Sequence, residues 1–180
     1  MEKVKKIVYV ALFTALITVC AMITIPGTVP FTLQTFAVFM ALYCLGGMLG
    51  TCSIVLYILL GIVGLPIFAG FKGGLGVIVS STGGYIVGFI VVGLVYWLFE
   101  SLKLKHFSII SSVIGLILLY LLGTIWFVWI ANNPKNTGFA AALLLCVVPF
   151  IIPDLLKLGL AYLLAGKVKK FIKIGEKKNT

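Results

Sequence analysis

Long apolar runs free of charged residues limit what this chain can fold into more than any other feature. The first covers residues 7–25, close to the roughly 20 residues that carry an α-helix across a hydrocarbon core about 30 Å thick. Hydrophobic residues make up 62% of the 180 positions and charged ones 10%, whereas a soluble domain is about half apolar and a quarter charged. With a mean hydropathy of +1.27, a soluble globular fold is excluded. The first run is too long for the apolar part of a signal peptide, and no small-x-small cleavage site follows it, so it is read as a span.

The run beginning at Thr35 is too long for one straight helix and too short for two full spans. Gly46, Gly47 and Gly50 interrupt it, which predicts two shortened helices, 35–47 and 49–64, joined by a tight glycine turn. Residues 64–81, GLPIFAGFKGGLGVIVSS, are dense in glycine. That composition predicts irregular backbone, tolerated at membrane depth only where protein covers it or water fills a cavity. Further spans follow at 82–100, 107–130 and, after the polar loop NNPKNTG, at 139–166. Pro149 and Pro153 fall in the last, where a helix kinks or restarts. The expectation is an all-α integral membrane protein: one transmembrane domain over 1–180, with six transmembrane helices and an irregular Gly-rich segment between helices 3 and 4.

Charge sets an orientation for these helices. Fourteen basic residues, all Lys, face four acidic ones, for a net charge of +10. A nucleic-acid partner would need a soluble basic face, and these lysines instead sit between and beside apolar runs, where anionic membrane lipids and topology account for them. With the N-terminus cytoplasmic, Lys3, Lys5, Lys6, Lys103, Lys105, Lys167, Lys169, Lys170, Lys173, Lys177 and Lys178 share the inner side, and only Lys72 and Lys135 fall outside. That bias requires an even number of spans and places the C-terminus in the cytoplasm as well. Trp97, Trp126 and Trp129 suit interfacial aromatic belts; Trp129 has a second reading, as a wall for a ligand at the outer mouth.

Asp154 and Lys157 are the charged pair inside an apolar span, and at i, i+3 they share a helix face. Each costs about 2.5 to 3.5 kcal/mol at a bilayer centre on insertion scales, so function explains them better than structure. A carboxylate accepts N–H groups and an ammonium donates to carbonyls or carboxylates. The pair therefore reads as a receptor for a small ligand carrying both kinds of group, with a proton relay through Asp154 as the competing use. No Walker-type G-K-[ST] follows the glycines of GGLGVIVSSTGGY, residues 73–85, so nucleotide binding is rejected. Gly73 and Gly74 instead let backbone approach a ligand, Ser80, Ser81 and Thr82 cap the next helix, and Tyr85 reaches the same cavity. In the loop IPGTVPFTLQTF, residues 25–36, Pro26 and Pro30 accompany Thr32 and Gln34: either the prolines rigidify a turn and Thr32 caps the second helix, or the loop forms a lid that contributes side chains to the ligand.

Ala11 and Ala15 form a small-x-x-x-small pair that admits a second helix at close range, and Gly84 with Gly88 repeats the pattern. Cys20, Cys44, Cys52 and Cys146 show no metal or redox spacing, and His106 is a surface residue. No nucleophile, base and oxyanion set can be assembled, so neither an enzyme nor a cofactor or metal site is expected.

These residues lie in segments that resemble the BioY family, the biotin-binding S-components of energy-coupling-factor (ECF) vitamin transporters. The resemblance rests on VPFTLQTFAVF from Val29, LYILLGIVGLPIFAGFKGGLGV from Leu56, STGGYIVGF from Ser81 and PDLLK from Pro153, and covers nearly the whole chain. This chain has Ser81 where the family pattern often has Pro. The resemblance implies a six-helix fold in a prokaryotic plasma membrane, with biotin held near the outer face. Asp154 would accept a ureido N–H, Lys157 would donate to the ureido carbonyl or the valerate carboxylate, and Tyr85 and Trp129 would cover the ring system. It also implies that Ala11 and Ala15 pack on a membrane-embedded T-component, with ATP hydrolysed by separate ATPase subunits. A proton-coupled secondary transporter of a small polar or zwitterionic solute is the alternative reading.

Overall fold

The computed structural model describes residues 2–27, 29–103, 106–130 and 138–172. Part of the sequence reading falls elsewhere: the loop around Lys135, together with Lys105, Lys173, Lys177 and Lys178, lies outside the described residues. Eight helices and one two-stranded ribbon follow in the order α1 Glu2–Met22, β1 Thr24–Ile25, β2 Phe31–Thr32, α2 Gln34–Leu45, α3 Gly47–Ile62, α4 Leu75–Ile78, α5 Gly83–Ser101, α6 Phe107–Ile130, α7 Phe139–Cys146 and α8 Val148–Val168. By length and composition α1, α5, α6 and α8 are able to cross a membrane, and α2 and α3 are shorter apolar helices.

The architecture is organised around α2. This helix is apolar on every side and nearly all of it is buried, the mark of a helix enclosed by others. It packs against α1, α3, α5 and α8. It ends at Gly46, whose φ of +82° lies in the left-handed region that a residue without a Cβ adopts readily, and α3 starts at the next residue. The turn is held from outside: Gly47 N–H donates to Glu100 Oε2 at 2.6 Å, which ties the α2–α3 corner to the C-terminal end of α5. On α5 and α6, small residues bring two long helices together. Gly84 lies under Trp126 and Gly88 under Leu119, while Gly123 receives the ring of Tyr85.

Three boundaries differ from the sequence reading. The first span stops at Met22, because Thr24 and Ile25 pair antiparallel with Thr32 and Phe31; backbone donors that a longer helix would have used go into a ribbon instead. The expected span 139–166 is two helices, broken at Val147 with φ −121° and ψ −52°. Pro149 sits in the first turn of α8, where a missing N–H leaves no carbonyl unpaired, so the chain restarts just before it, while Pro153 falls inside α8. The Gly-rich stretch contains a four-residue helix, α4, and an isolated bridge between Phe68 and Lys72.

Chain direction sorts charge to one end. Lys3, Lys5 and Lys6 open α1, Lys103 follows α5, and Lys167, Lys169 and Lys170 close α8. The ribbon, the start of α2, the start of α5 and the start of α8 meet at the other end, around a largely apolar cavity.

Candidate functional site

A cavity of about 260 Å³ opens between the ribbon, the segment preceding α5, and α2, α5, α6 and α8. Its floor is the charged pair. Asp154 and Lys157 are only 4% and 6% exposed, and each makes two hydrogen bonds within the protein. Lys157 Nζ donates to Asp154 Oδ1 at 2.8 Å and to the Thr32 carbonyl at 2.7 Å, and lies 4.0 Å from the centre of the Phe31 ring. Tyr120 of α6 donates its hydroxyl to Asp154 Oδ2 at 2.7 Å. Buried charge is tolerated only when paired and hydrogen-bonded, and here two carboxylate oxygens and one ammonium share three hydrogen bonds that join the ribbon, α6 and α8.

That network leaves defined capacity for a ligand. An ionised carboxylate offers about four acceptor positions and an ammonium three donors. Two of the former and two of the latter are taken inside the protein, so the pair still presents acceptor sites and one N–H. The surrounding wall is apolar and aromatic. Phe150 lines it and stacks on Phe31, outside the lining, with ring centres 5.9 Å apart, and Phe68, Phe89, Ile86 and Leu119 line the remainder.

The walls are fixed by a second set of hydrogen bonds. Thr32 Oγ1 donates to Gln34 Oε1 at 3.1 Å and accepts from Gln34 N–H at 3.3 Å. Gln34 Nε2 in turn donates to Tyr57 at 2.8 Å, and Tyr57 donates to the Ile67 carbonyl at 3.3 Å. Thr32 and Gln34 thus join the ribbon, α2, α3 and the following loop, and both face the cavity. The cap and lid readings of this segment are compatible: the Thr32 hydroxyl satisfies the first N–H of α2 while its carbonyl holds Lys157.

Six residues singled out from the sequence converge here: Thr32, Gln34, Thr82, Tyr85, Asp154 and Lys157 all line the cavity. Four others do not. Trp129 stands 84% exposed on α6, while Trp126, three residues earlier, packs over Gly84 and donates its indole N–H to the Ser80 carbonyl at 3.1 Å. Gly73 sits against the backbone of Leu65, where a Cβ has no room, and Gly74, with φ +90°, donates its N–H to the Gly61 carbonyl at 2.7 Å; both shape the loop, and Gly76 is the glycine at the cavity wall. Ser81 is likewise absent from the lining, which takes Ser80 instead. Thr82 holds the first position before α5, but its side chain makes no capping bond. Its Oγ1 pairs with Ser80 Oγ at 3.3 Å.

Four contributors were not singled out in the sequence. Tyr120 left a trace as a hydroxyl within an apolar span, and Phe31 and Phe150 are indistinguishable there from lipid-facing aromatics. Lys72, which lines the cavity from the loop before α4, had a clearer signal, as one of two lysines breaking the charge bias.

Comparison with known proteins decides the family. Residues 1–174 match the BioY family. The chain belongs to it. It is 39% identical to the probable biotin transporter BioY of Pyrococcus horikoshii, over 93% of this chain and 98% of that one. It is 42% identical to the biotin transporter BioY of Thermotoga maritima, over 92% and 96%. Among solved structures, the S-component for biotin from an ECF-type ABC transporter superposes with a TM-score of 0.82 at 27% identity, covering 94% of this chain and 93% of the other. As a BioY protein the chain shares its fold with that S-component, and the cavity above lies within the matched length.

Proposed function

We propose that the chain is the biotin-binding S-component of an ECF-type vitamin transporter, a substrate-capture subunit and not an enzyme. The observation that carries the reading is the buried Asp154–Lys157–Tyr120 network at the floor of an apolar cavity, in a chain of the BioY family. Biotin offers a urea with two N–H donors and one carbonyl, an apolar bicycle, and a carboxylate on a flexible tail. Asp154 accepts a ureido N–H and Lys157 donates to the ureido carbonyl, since the two side chains are in contact and meet the same end of the ligand. Phe150, stacked on Phe31, encloses the bicycle together with Tyr85. Lys72 meets the carboxylate; it stands exposed on the loop side of the cavity, where a flexible anionic tail emerges.

The six-span arrangement follows from the same reading. The helices α1, α5, α6 and α8 cross fully, and α2 and α3, at 12 and 16 residues, cross as shortened helices above and below which loops fold inward. The lysine-rich end is cytoplasmic, and the cavity opens outside. Ala11 and Ala15 lie on the exposed face of α1 and meet a T-component, which passes on the work of separate ATPases. A proton-coupled secondary mechanism is not favoured, because the chain belongs to the BioY family and superposes on an S-component for biotin from an ECF-type ABC transporter.

Titration of the purified chain with biotin tests the assignment. Wild type binds; Asp154→Ala and Lys157→Ala each lose at least about a hundredfold in affinity, the cost of leaving one buried charge without its partner. Absence of binding by the wild type overturns the reading.

A further inference from the structure

A second cavity lies at the opposite, lysine-rich end, and its chemistry differs from the first. It measures about 370 Å³ and is lined by Tyr43, Ser108, Tyr162, Leu163, Gly166 and Lys169, with Ala165 at its edge. Hydrogen-bond donors without acceptors converge on it. Ser108 Oγ accepts from Tyr96 at 3.3 Å and spends its own proton on no described residue. Tyr162 packs edge-on against Tyr43, ring centres 5.7 Å apart, and its hydroxyl has no hydrogen-bond partner among the described residues. Lys169 forms no ion pair among them either, the pair of Lys157 with Asp154 being the salt bridge there.

Of the other lining groups, Tyr43 has its proton committed to Ser112 at 2.8 Å and so adds an aromatic wall rather than a free donor. The last α8 carbonyls are closed by their own backbone, Ala165 to Lys169 N–H at 2.9 Å and Val168 to Phe171 N–H at 2.9 Å. Ser108 lies in the first turn of α6, at the positive end of a long helix dipole. An uncharged hydroxyl pair, an ammonium and a helix start together favour an anion with several acceptor oxygens. The exposed apolar side chains Leu163 and Leu164 flank the site, so the occupant is amphipathic.

From this we infer that the cavity formed by Tyr43, Ser108, Tyr162 and Lys169 holds the headgroup phosphate of an anionic phospholipid, whose acyl chains lie along α8. This site is separate from the biotin cavity, and its occupant binds whether or not biotin does. It lies on the leaflet where the positive-inside distribution places anionic lipid.

The test uses the full chain purified in detergent and titrated with phosphatidylglycerol, phosphatidylcholine or inorganic phosphate, bound species being counted by native mass spectrometry. Wild type binds phosphatidylglycerol in preference to phosphatidylcholine, and inorganic phosphate does not displace it. Lys169→Gln and Ser108→Ala each weaken phosphatidylglycerol binding, the lysine change by about tenfold for a lost charged contact. Lys167→Gln removes an equal charge from α8 outside the cavity and changes binding by less than about twofold. Retained melting transitions show that the variants are folded, and the Ser108 variant keeps the test open if the lysine variant is not. Equal losses from Lys167→Gln and Lys169→Gln overturn the site in favour of diffuse attraction. Equally, binding of inorganic phosphate that depends on Lys169 and excludes phosphatidylglycerol overturns the lipid as its occupant.

Discussion

Asp154, proposed above as a biotin ligand, is held at the cavity by two contacts of different kinds, and they predict different mutant behaviour. Lys157 neutralises it at 2.8 Å; Tyr120 orients it at 2.7 Å through a neutral hydroxyl. Removing only that hydroxyl keeps the ring in place and the charge paired, so Tyr120→Phe folds normally and loses a hydrogen bond to a charged group, about 1.5 to 3 kcal/mol. Biotin affinity is expected to fall roughly tenfold or more in a calorimetric titration, with the melting temperature nearly unchanged. Trp129→Ala in the same series leaves affinity as it was, because that ring stands outside the cavity; a comparable loss there would return Trp129 to the site. Asp154 and Lys157 were legible in the sequence because charge is costly in a span. Tyr120 was not, because a tyrosine costs little at membrane depth and nothing in its spacing says which helix it faces. The position of Trp129 was illegible for a related reason: three residues separate it from Trp126, and that small rotation around α6 decides which indole reaches Ser80.

At the scale of elements, glycine accounts for most of what the sequence conveyed and for part of what it concealed. The turn at Gly46 was legible because three glycines interrupted an apolar run of awkward length. The function of Gly73 and Gly74 was not, since loop packing and ligand contact require the same small residue. Between α5 and α6 the glycines act as contact points. Gly88 lies against Leu119, which itself lines the cavity, so a larger side chain there displaces a wall of the site as well as a helix. Gly88→Leu overpacks this contact at about 1 to 3 kcal/mol. It should lower the melting temperature in detergent and weaken biotin binding together, whereas Gly166→Ala, with open space around its Cβ, changes neither. A melting shift without loss of affinity would separate helix packing from the site.

For the whole molecule, the docking face proposed on α1 lies apart from the cavity, so binding and coupling are separable by mutation. Phe13, Ile17, Cys20 and Ala21 are buried against the core, and Thr14 donates to the Ser53 carbonyl at 3.1 Å. The opposite face exposes Val4, Ile7, Val8, Leu12 and Val19 around Ala11 and Ala15. Lipid alone accepts such a face, but small residues placed there also let another helix approach closely. Neither alanine contacts the biotin cavity, so the faces can be separated by mutation. Ala11→Leu with Ala15→Leu adds bulk at both points of approach while leaving the buried face and the cavity intact. The double variant should bind biotin as the wild type does, fail to co-purify with a T-component, and support no concentrative uptake of labelled biotin in cells that supply the ATPases. Wild type in cells lacking those ATPases should show the same loss of uptake. Because both conditions spare the binding site, intact affinity with absent uptake assigns α1 to coupling; co-purification retained by the double variant would move the docking face elsewhere, and undiminished concentrative uptake without ATPases would make the chain a self-sufficient transporter.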